Sequence, residues 1–208
     1  EAAREAGRVE AVRESRVGGA SAGPPMLAVL PFTAVGSGEE SVFFAAGVHD
    51  DLLTKLAQQP SIRVISRTSV LEYRDTERNI REIGRELNAE AILEGGVQTA
   101  GERIRINAQL IDARTDEHLW AETYDSSFDP DAVFELQDEL VPRIVSSVAD
   151  MNGVLPRSMS EAVRSHDPEQ LSPYEAVLRS FGYLERGTPD ELAASLSGLE
   201  SAVRKSPD

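Results

Sequence analysis

The chain contains no cysteine. That absence excludes disulfides, zinc–thiolate sites and thiol catalysis, and it leaves the redox compartment open. Lysine is scarce as well, standing only at Lys55 and Lys205, so there is no phosphate-cradling loop with its lysine. No apolar run reaches the roughly 18 residues that a membrane helix needs, so none of these residues is expected to span a bilayer. There is no start Met and no secretory signal. A chain that opens at Glu1 in mid-pattern and closes on Pro207-Asp208 reads as a piece of something longer.

Acid is abundant. The formal net charge is −15 over 208 residues, with 40 % hydrophobic and 27 % charged residues. The last two values are ordinary for a globular protein, and the length suits one domain plus an extra element. A surface of this charge repels phosphate backbones, so nucleic acid is not an expected partner of these residues. The acid is concentrated. Between residues 115 and 142 stand Asp116, Glu117, Glu122, Asp125, Asp129, Asp131, Glu135, Asp138 and Glu139, without Lys or Arg. The plain reading is a solvated face that keeps the protein soluble; the sharper one is a docking face for a basic partner.

Residues 1–17 interleave Arg and Glu around Val9, Val12 and Val17 and read as a frayed helix or tether. GGASAGPP at 18–25 reads as a linker. LAVLPF at 27–32 is a continuous apolar run, as in a strand buried on both faces. Residues 41–59 place Val48, Leu52, Leu53 and Leu56 on one helical face. Residues 62–66 read as a second strand, Thr68 or Ser69 as the cap of a short helical turn through Tyr73, and 79–87 as a helix closed by Asn88. This order implies parallel pairing with right-handed crossovers.

The period then changes. Ile104, Ile106, Ala108 and Leu110 alternate with Arg103, Arg105, Asn107 and Gln109, which marks a half-exposed antiparallel strand. Turns at 100–102 and 115–117 bound it, and 118–124 is the last strand. Asp129, Pro130 and Asp131 open a helix with Val133, Leu136, Leu140, Ile144 and Val148 inward, and Pro142 is expected to kink or split it. After Met151 the composition loosens, and two helices follow: one opened by Ser172-Pro173, the other by a capping box from Thr188 to Glu191. The expected fold class is α/β (an α+β mixed sheet), β-α-β-α-β-β-β-α with helices packed on the sheet, followed by an α-helical hairpin. The expected divisions are a tether over 1–25, an α/β domain over 26–152, and a helical linker with hairpin over 153–208.

Gly36-Ser37-Gly38 follows the first strand, and Arg67 stands where a dinucleotide site would want an acid, or an Arg for a phosphorylated ribose. Ser41 replaces the third glycine of that fingerprint and the loop is long. Nucleotide or small-ligand binding by this loop is the alternative reading; a mobile loop at the sheet edge is the plain one. His49-Asp50-Asp51 cannot converge on one ion, because successive helix residues point about 100° apart. Asp125, Asp129 and Asp131 lack calcium-loop spacing and suit helix capping. No cofactor, metal or catalytic set is expected. Glu94, Gly95 and Gly96 inside a strand are costly unless used: either Glu94 pairs with Arg67 to fix the sheet rim, or the strand ends form a ligand cleft. Trp120 and Tyr124 share a face, as core or rim packing or as a ligand platform.

LAVLPF, FFAAGVHDDLLTKL, VISRTSVLEY, IREIGRELNAEAILEGGV, RIRINAQLIDARTDEHLWAETYD and VFELQDELVPRIVSSV run in order over residues 26–150. This set resembles the TolB amino-terminal-like domain of bacterial signalling proteins, and residues 173–207 resemble the first of the tetratricopeptide repeats that follow it there. The resemblance implies a mixed sheet with helices against one side and a non-catalytic sensory or protein-interaction module. It further implies a linked kinase, adenylate cyclase or winged-helix effector, and a place on the extracytoplasmic side of a bacterial inner membrane, attached only through a helix outside these residues, otherwise in the cytoplasm. A protein partner or small ligand is expected, with a homo-oligomer as a further option. The candidate contacts are the strand-end rim (Phe32, Asp50, Arg67, Glu94) and the acidic residues Asp116, Glu117, Glu122, Asp125, Glu135 and Glu139.

Overall fold

A computed structural model describes residues 23–35, 38–150 and 153–206. The expected tether over 1–17, and Gly36 and Ser37 of the glycine loop, lie outside the described residues. The chain divides into two compact units: one holds Pro24–Met159, the other the described residues from Ser160 onward.

The first unit is built on a six-stranded mixed sheet in the order β3 (Arg63–Val64), β1 (Met26–Val29), β4 (Ala91–Ala100), β5 (Arg103–Asp112), β6 (His118–Ser127), with β2 (Thr33–Val35) also on β4. Strand β1 (Met26–Val29) lies parallel to both β3 (Arg63–Val64) and β4 (Ala91–Ala100). Its side chains alternate between two cores: Leu27 and Val29 belong to one, Ala28 and Leu30 to the other. Burial on both faces is why the run is continuously apolar.

The strand expected through Phe32 is broken, because Pro31 has no N–H to continue a ladder. The Leu30 N–H still reaches the Leu93 carbonyl at 2.8 Å. Then β2 (Thr33–Val35) resumes along the same edge of β4, with Thr33 opposite Gly96. The second expected strand shrinks to β3, because Ser66 has already turned to cap the next helix. Its side chain accepts from the Ser69 N–H, the role expected of Thr68 or Ser69.

Helix α1 (Glu39–Ala57) buries Phe44, Val48, Leu52 and Leu56, one residue per turn. Short α2 (Arg67–Val70) runs into a 3-10 turn (Leu71–Tyr73), and α3 (Ile80–Leu87) follows, capped by the Asn79 side chain and closed by Asn88 at φ 51°. The expected meander is present: β4 to β5 (Arg103–Asp112) to β6 (His118–Ser127), both pairs antiparallel.

A 3-10 turn (Pro130–Ala132) capped by Asp129 leads into α4 (Val133–Ala149), which is not split at Pro142. The proline stands on the exposed side, while Leu140, Val141, Ile144 and Val145 on the other side stay buried and hold the helix across the missing bond. Helices α1 and α4 run side by side in the same direction. The Gln137 side chain fills the space a Cβ on Gly47 would need, and beyond their far ends the Ser61 hydroxyl donates to the Ala149 carbonyl at 3.0 Å.

These two helices cover one sheet face over Leu93, Val97, Ile106 and Leu110. Helices on one side only were expected. The opposite face also carries a layer over part of its width, where Val70, Tyr73 and Ile83 pack on Ala28 and Ile92. Each fully buried Leu, Ile, Val or Phe contributes roughly 1.5–3 kcal/mol.

Helix α5 (Val154–Val163) lies in the stretch expected as a helical linker, for which no bounds were expected. Its polar run RSMSE hides the apolar spacing of Leu155, Met159 and Val163. The second unit continues with a 3-10 turn (Pro168–Gln170), α6 (Pro173–Arg186) and α7 (Pro189–Lys205). The reciprocal capping box sits at Ser172 and Glu175, not at Thr188. Glu191 donates its N–H to Thr188, but its carboxylate is taken by Arg164 at 3.2 Å and Arg186 at 3.4 Å. Among the described residues no helix is long and apolar enough to cross a membrane.

Candidate functional site

The parallel strands end in two different environments, one on each face of the sheet. On the side of α1, His49 is buried at 2 % exposure and its Nε2 donates to the Val29 carbonyl at 2.9 Å. Burial holds this imidazole below its ordinary value, with the Val29 bond opposing. Asp50 follows and accepts from Arg67 Nε at 2.5 Å. The expected Arg67–Glu94 pair is therefore not formed. Strand β1 lies between β3 and β4, so Arg67, just past β3, meets α1 rather than Glu94 on β4. Phe32 is also not a rim residue: it is 7 % exposed, and its ring lies where a Cβ on Gly95 would stand. That close approach is what Gly95 serves.

On the other face the strand ends open into a cavity of about 220 Å³, lined by Leu30, Thr33, Tyr73, Asp75, Glu94 and Gln109 among others. Glu94 and Gln109 face each other in the β4–β5 register, and Gln109 Nε2 donates to Glu94 Oε1 at 2.5 Å. No Lys or Arg pairs with Glu94 among the described residues. This distinguishes it from Asp112 and Asp125, which pair with Arg114 and Arg105. Tyr73 forms a wall; burial and the hydrogen bond it donates to Glu86 push its hydroxyl up to about 12. Asp75 stands at φ 52° on the rim. The lining is rich in acceptors and carries no cation, so it suits a small polar ligand that brings hydrogen-bond donors.

Sequence reasoning singled out Glu94 but not Gln109, Tyr73, Asp75 or Thr76. Gln109 was accessible: counting back from the Ala100–Arg103 pair that closes the hairpin puts residue 109 opposite 94. The loop residues 75 and 76 carried no such signal.

The acidic residues do not form one face. Asp116, at φ 67°, and Glu117 lie on the β5–β6 turn. Glu122 accepts from the Tyr124 hydroxyl at 3.0 Å on the helix side of the sheet. Asp125 points to the opposite side and takes two bonds from Arg105 at 2.8 and 2.9 Å. Glu135 and Glu139 are exposed on α4. Glu139 lies 3.8 Å from Arg143, whose guanidinium sits 4.8 Å over the Tyr124 ring. Tyr124 is core, and Trp120 packs partly buried against that core. Gly38 sits at the head of α1 with no side-chain cap bond; the rest of its glycine loop lies outside the described residues.

Residues 23–143 match the family model described as HilA/YgeH-like transcriptional regulator, second domain. The chain belongs to this family. A curated relative of the domain, "Putative adenylate cyclase 3" of Rhizobium meliloti (strain 1021), is 37% identical over 156 residues, 75% of this chain and 26% of the relative. The chain thus spans about a quarter of that protein's length.

Among solved structures, lipoprotein GNA1162 from Neisseria meningitidis resembles it with a TM-score of 0.43 at 14% identity, over 60% of this chain and 100% of that one. The PelC dodecamer from Paraburkholderia phytofirmans gives 0.41 at 14%, over 61% and 88%. TolB from Acinetobacter baumannii gives 0.41 at 12%, over 59% and 28%. Likeness at this level carries nothing about activity.

Proposed function

We propose that this domain is a non-catalytic binding module that relays occupancy of its strand-end cavity to a linked effector. One observation carries the reading: a 220 Å³ opening at the ends of parallel strands holds Glu94, a strand carboxylate without a cationic partner, in a place where open sheets commonly take ligands. The matches lend support. The family is described as a transcriptional regulator's second domain and the curated relative is named "Putative adenylate cyclase 3", two effector types that one shared binding part would serve. Relay is a population shift, biased by whatever the ligand binds better in one arrangement. In the same reading α6 and α7 form the first unit of a tetratricopeptide-type array, and the domain works on the extracytoplasmic side of a bacterial membrane, anchored by a helix outside these residues.

The test is a thermal-shift titration with small amines, sugars and nucleotides. A saturable stabiliser near 100 times its Kd adds about 2.7 kcal/mol. Glu94→Gln is expected to abolish that shift while changing the unliganded stability by no more than about 1 kcal/mol, since the amide oxygen can still accept from Gln109. A shift that survives Glu94→Gln removes the cavity from the proposal. A shift given by nucleotides alone would move the site to the Gly36–Gly38 loop.

A further inference from the structure

The helix layer, on the far side of the sheet from the cavity, carries two aromatic rings that the core does not use. Phe43 on α1 is 60 % exposed and Phe134 on α4 is 67 % exposed, with Val42 beside Phe43 at 52 %. The interior aromatic pair is a different one: Phe44 meets Phe128 edge to face, ring centroids 6.1 Å apart. Exposed apolar residues are ordinary when scattered singly, and grouped ones mark a contact.

The helix register groups these. Gly47 lies against the Gln137 side chain, whose Nε2 donates to the Phe44 carbonyl at 3.4 Å. Asp51, one turn further along α1, feels the charge of Asp138. Phe43 is one turn upstream of Gly47, and Phe134 one turn upstream of Gln137 and Asp138. In parallel helices both rings therefore flank the same end of one seam.

Charge identifies the occupant. Residues 39–54 hold Glu39, Glu40, Asp50 and Asp51 with no Lys or Arg, and 129–141 hold five acids with none. The helix dipoles explain Glu39, Glu40 and Glu135, which stand in first turns. They do not explain Asp51 and Asp138, which lie further along and repel each other across the seam. Burial first, then Asp138 and Asp50, hold the Asp51 carboxyl above its usual range, with Lys55 one turn further on opposing them. No ion pair involves Glu39, Glu40, Asp51, Glu135 or Asp138 among the described residues.

We infer that this end of the α1–α4 seam is a docking surface for a basic amphipathic helix of a partner protein. Its apolar side chains, three and four residues apart, cover Phe43 and Phe134. Its Lys and Arg answer the acids along both flanks, as in helix-in-groove recognition. A second copy of the chain fits poorly, since it would bring the same acids against each other at a net charge of −15 per chain.

The probe is a synthetic Leu/Lys amphipathic helix of roughly 18 residues, about five turns. It is titrated into the full chain by NMR and fluorescence anisotropy beside a scrambled peptide of the same composition. The ordered peptide is expected to bind about tenfold or more tighter than the scramble, and to shift Val42, Phe43, Phe134 and Asp138. Phe43→Ala with Phe134→Ala is expected to weaken it about tenfold, an ordinary loss for aromatic anchors, while Glu82→Ala on α3, across the sheet, leaves it unchanged. Equal binding of the scramble, shifts centred on the β5–β6 turn, or full affinity in the double variant overturns the inference. Sedimentation that shows a dimer lost in the double variant overturns it in favour of a second copy.

Discussion

At the scale of single residues, His49 is the group whose chemistry departs furthest from its surroundings. It sits on a helix stripe otherwise made of Phe44, Val48, Leu52 and Leu56, and its ring is satisfied by the Val29 carbonyl. Burial lowers its proton affinity below the ordinary 6.5. In the unfolded chain the ring takes its proton near 6.5, while in the folded chain it resists. The unfolded state therefore binds more protons below about 6.5, and stability falls as the pH falls through that value toward the depressed folded one. Carboxylates held low by arginine partners, Asp125 by Arg105 and Glu86 by Arg78, lose their contribution only further down, at about pH 4. Asp51, held high, works in the opposite sense near there. Thermal midpoints between about pH 7.5 and 5 are expected to decline in the native chain and to flatten in His49→Gln, with the lower acid limb retained; a native profile that is flat across this range would refute the assignment. His49 was visible in the sequence only as the first letter of a spurious metal triplet. What decides its behaviour is the end of β1, twenty residues away.

At the scale of elements, local rules held where partners are near in the chain. Asn79 and Asn88 cap α3, Asp129 caps the entry to α4, and the strict alternation along β5 gives one buried and one polar face. The rules failed where a single residue competes with packing. Pro142 was expected to kink or split its helix, at a cost of about 3 kcal/mol in a helix interior, yet α4 runs unsplit with its buried stripe on both sides of the proline. Pro142→Ala would restore an N–H to the Asp138 carbonyl. The expected gain is about 1–2 kcal/mol, since the proline also stiffens the unfolded chain by up to roughly 1 kcal/mol, read as a raised urea midpoint at constant slope. A midpoint that stays or falls would mean that the ring itself packs usefully. Pro31 had the opposite fate. It lies between two ladders, where its missing N–H does interrupt pairing, and a single expected strand became β1 and β2 along one edge of β4.

For the molecule as a whole, the excess of negative charge is a burden that no individual contact relieves. The ion pairs on the α/β unit, such as Arg67–Asp50, Arg78–Glu86 and Arg105–Asp125, are close to half exposed on both sides, and pairs of that kind are worth only about 0–1 kcal/mol each. Self-repulsion at a net charge of −15 therefore outweighs them. Raising NaCl from about 20 to about 300 mM is expected to lift the thermal midpoint by a few degrees; a midpoint that drops would place the ion pairs above the repulsion. Composition, the apolar first strand, the change of period after residue 100 and the caps were decided by the sequence alone, because each depends on neighbours within a turn or a hairpin. The partner of Arg67, the scattering of the acidic residues over separate surfaces, the cavity beside Glu94 and the shared seam of Phe43 and Phe134 were decided only by the tertiary structure. They depend on which strand lies between which others and on the register of two helices about 90 residues apart, and a local pattern of side chains carries no record of either.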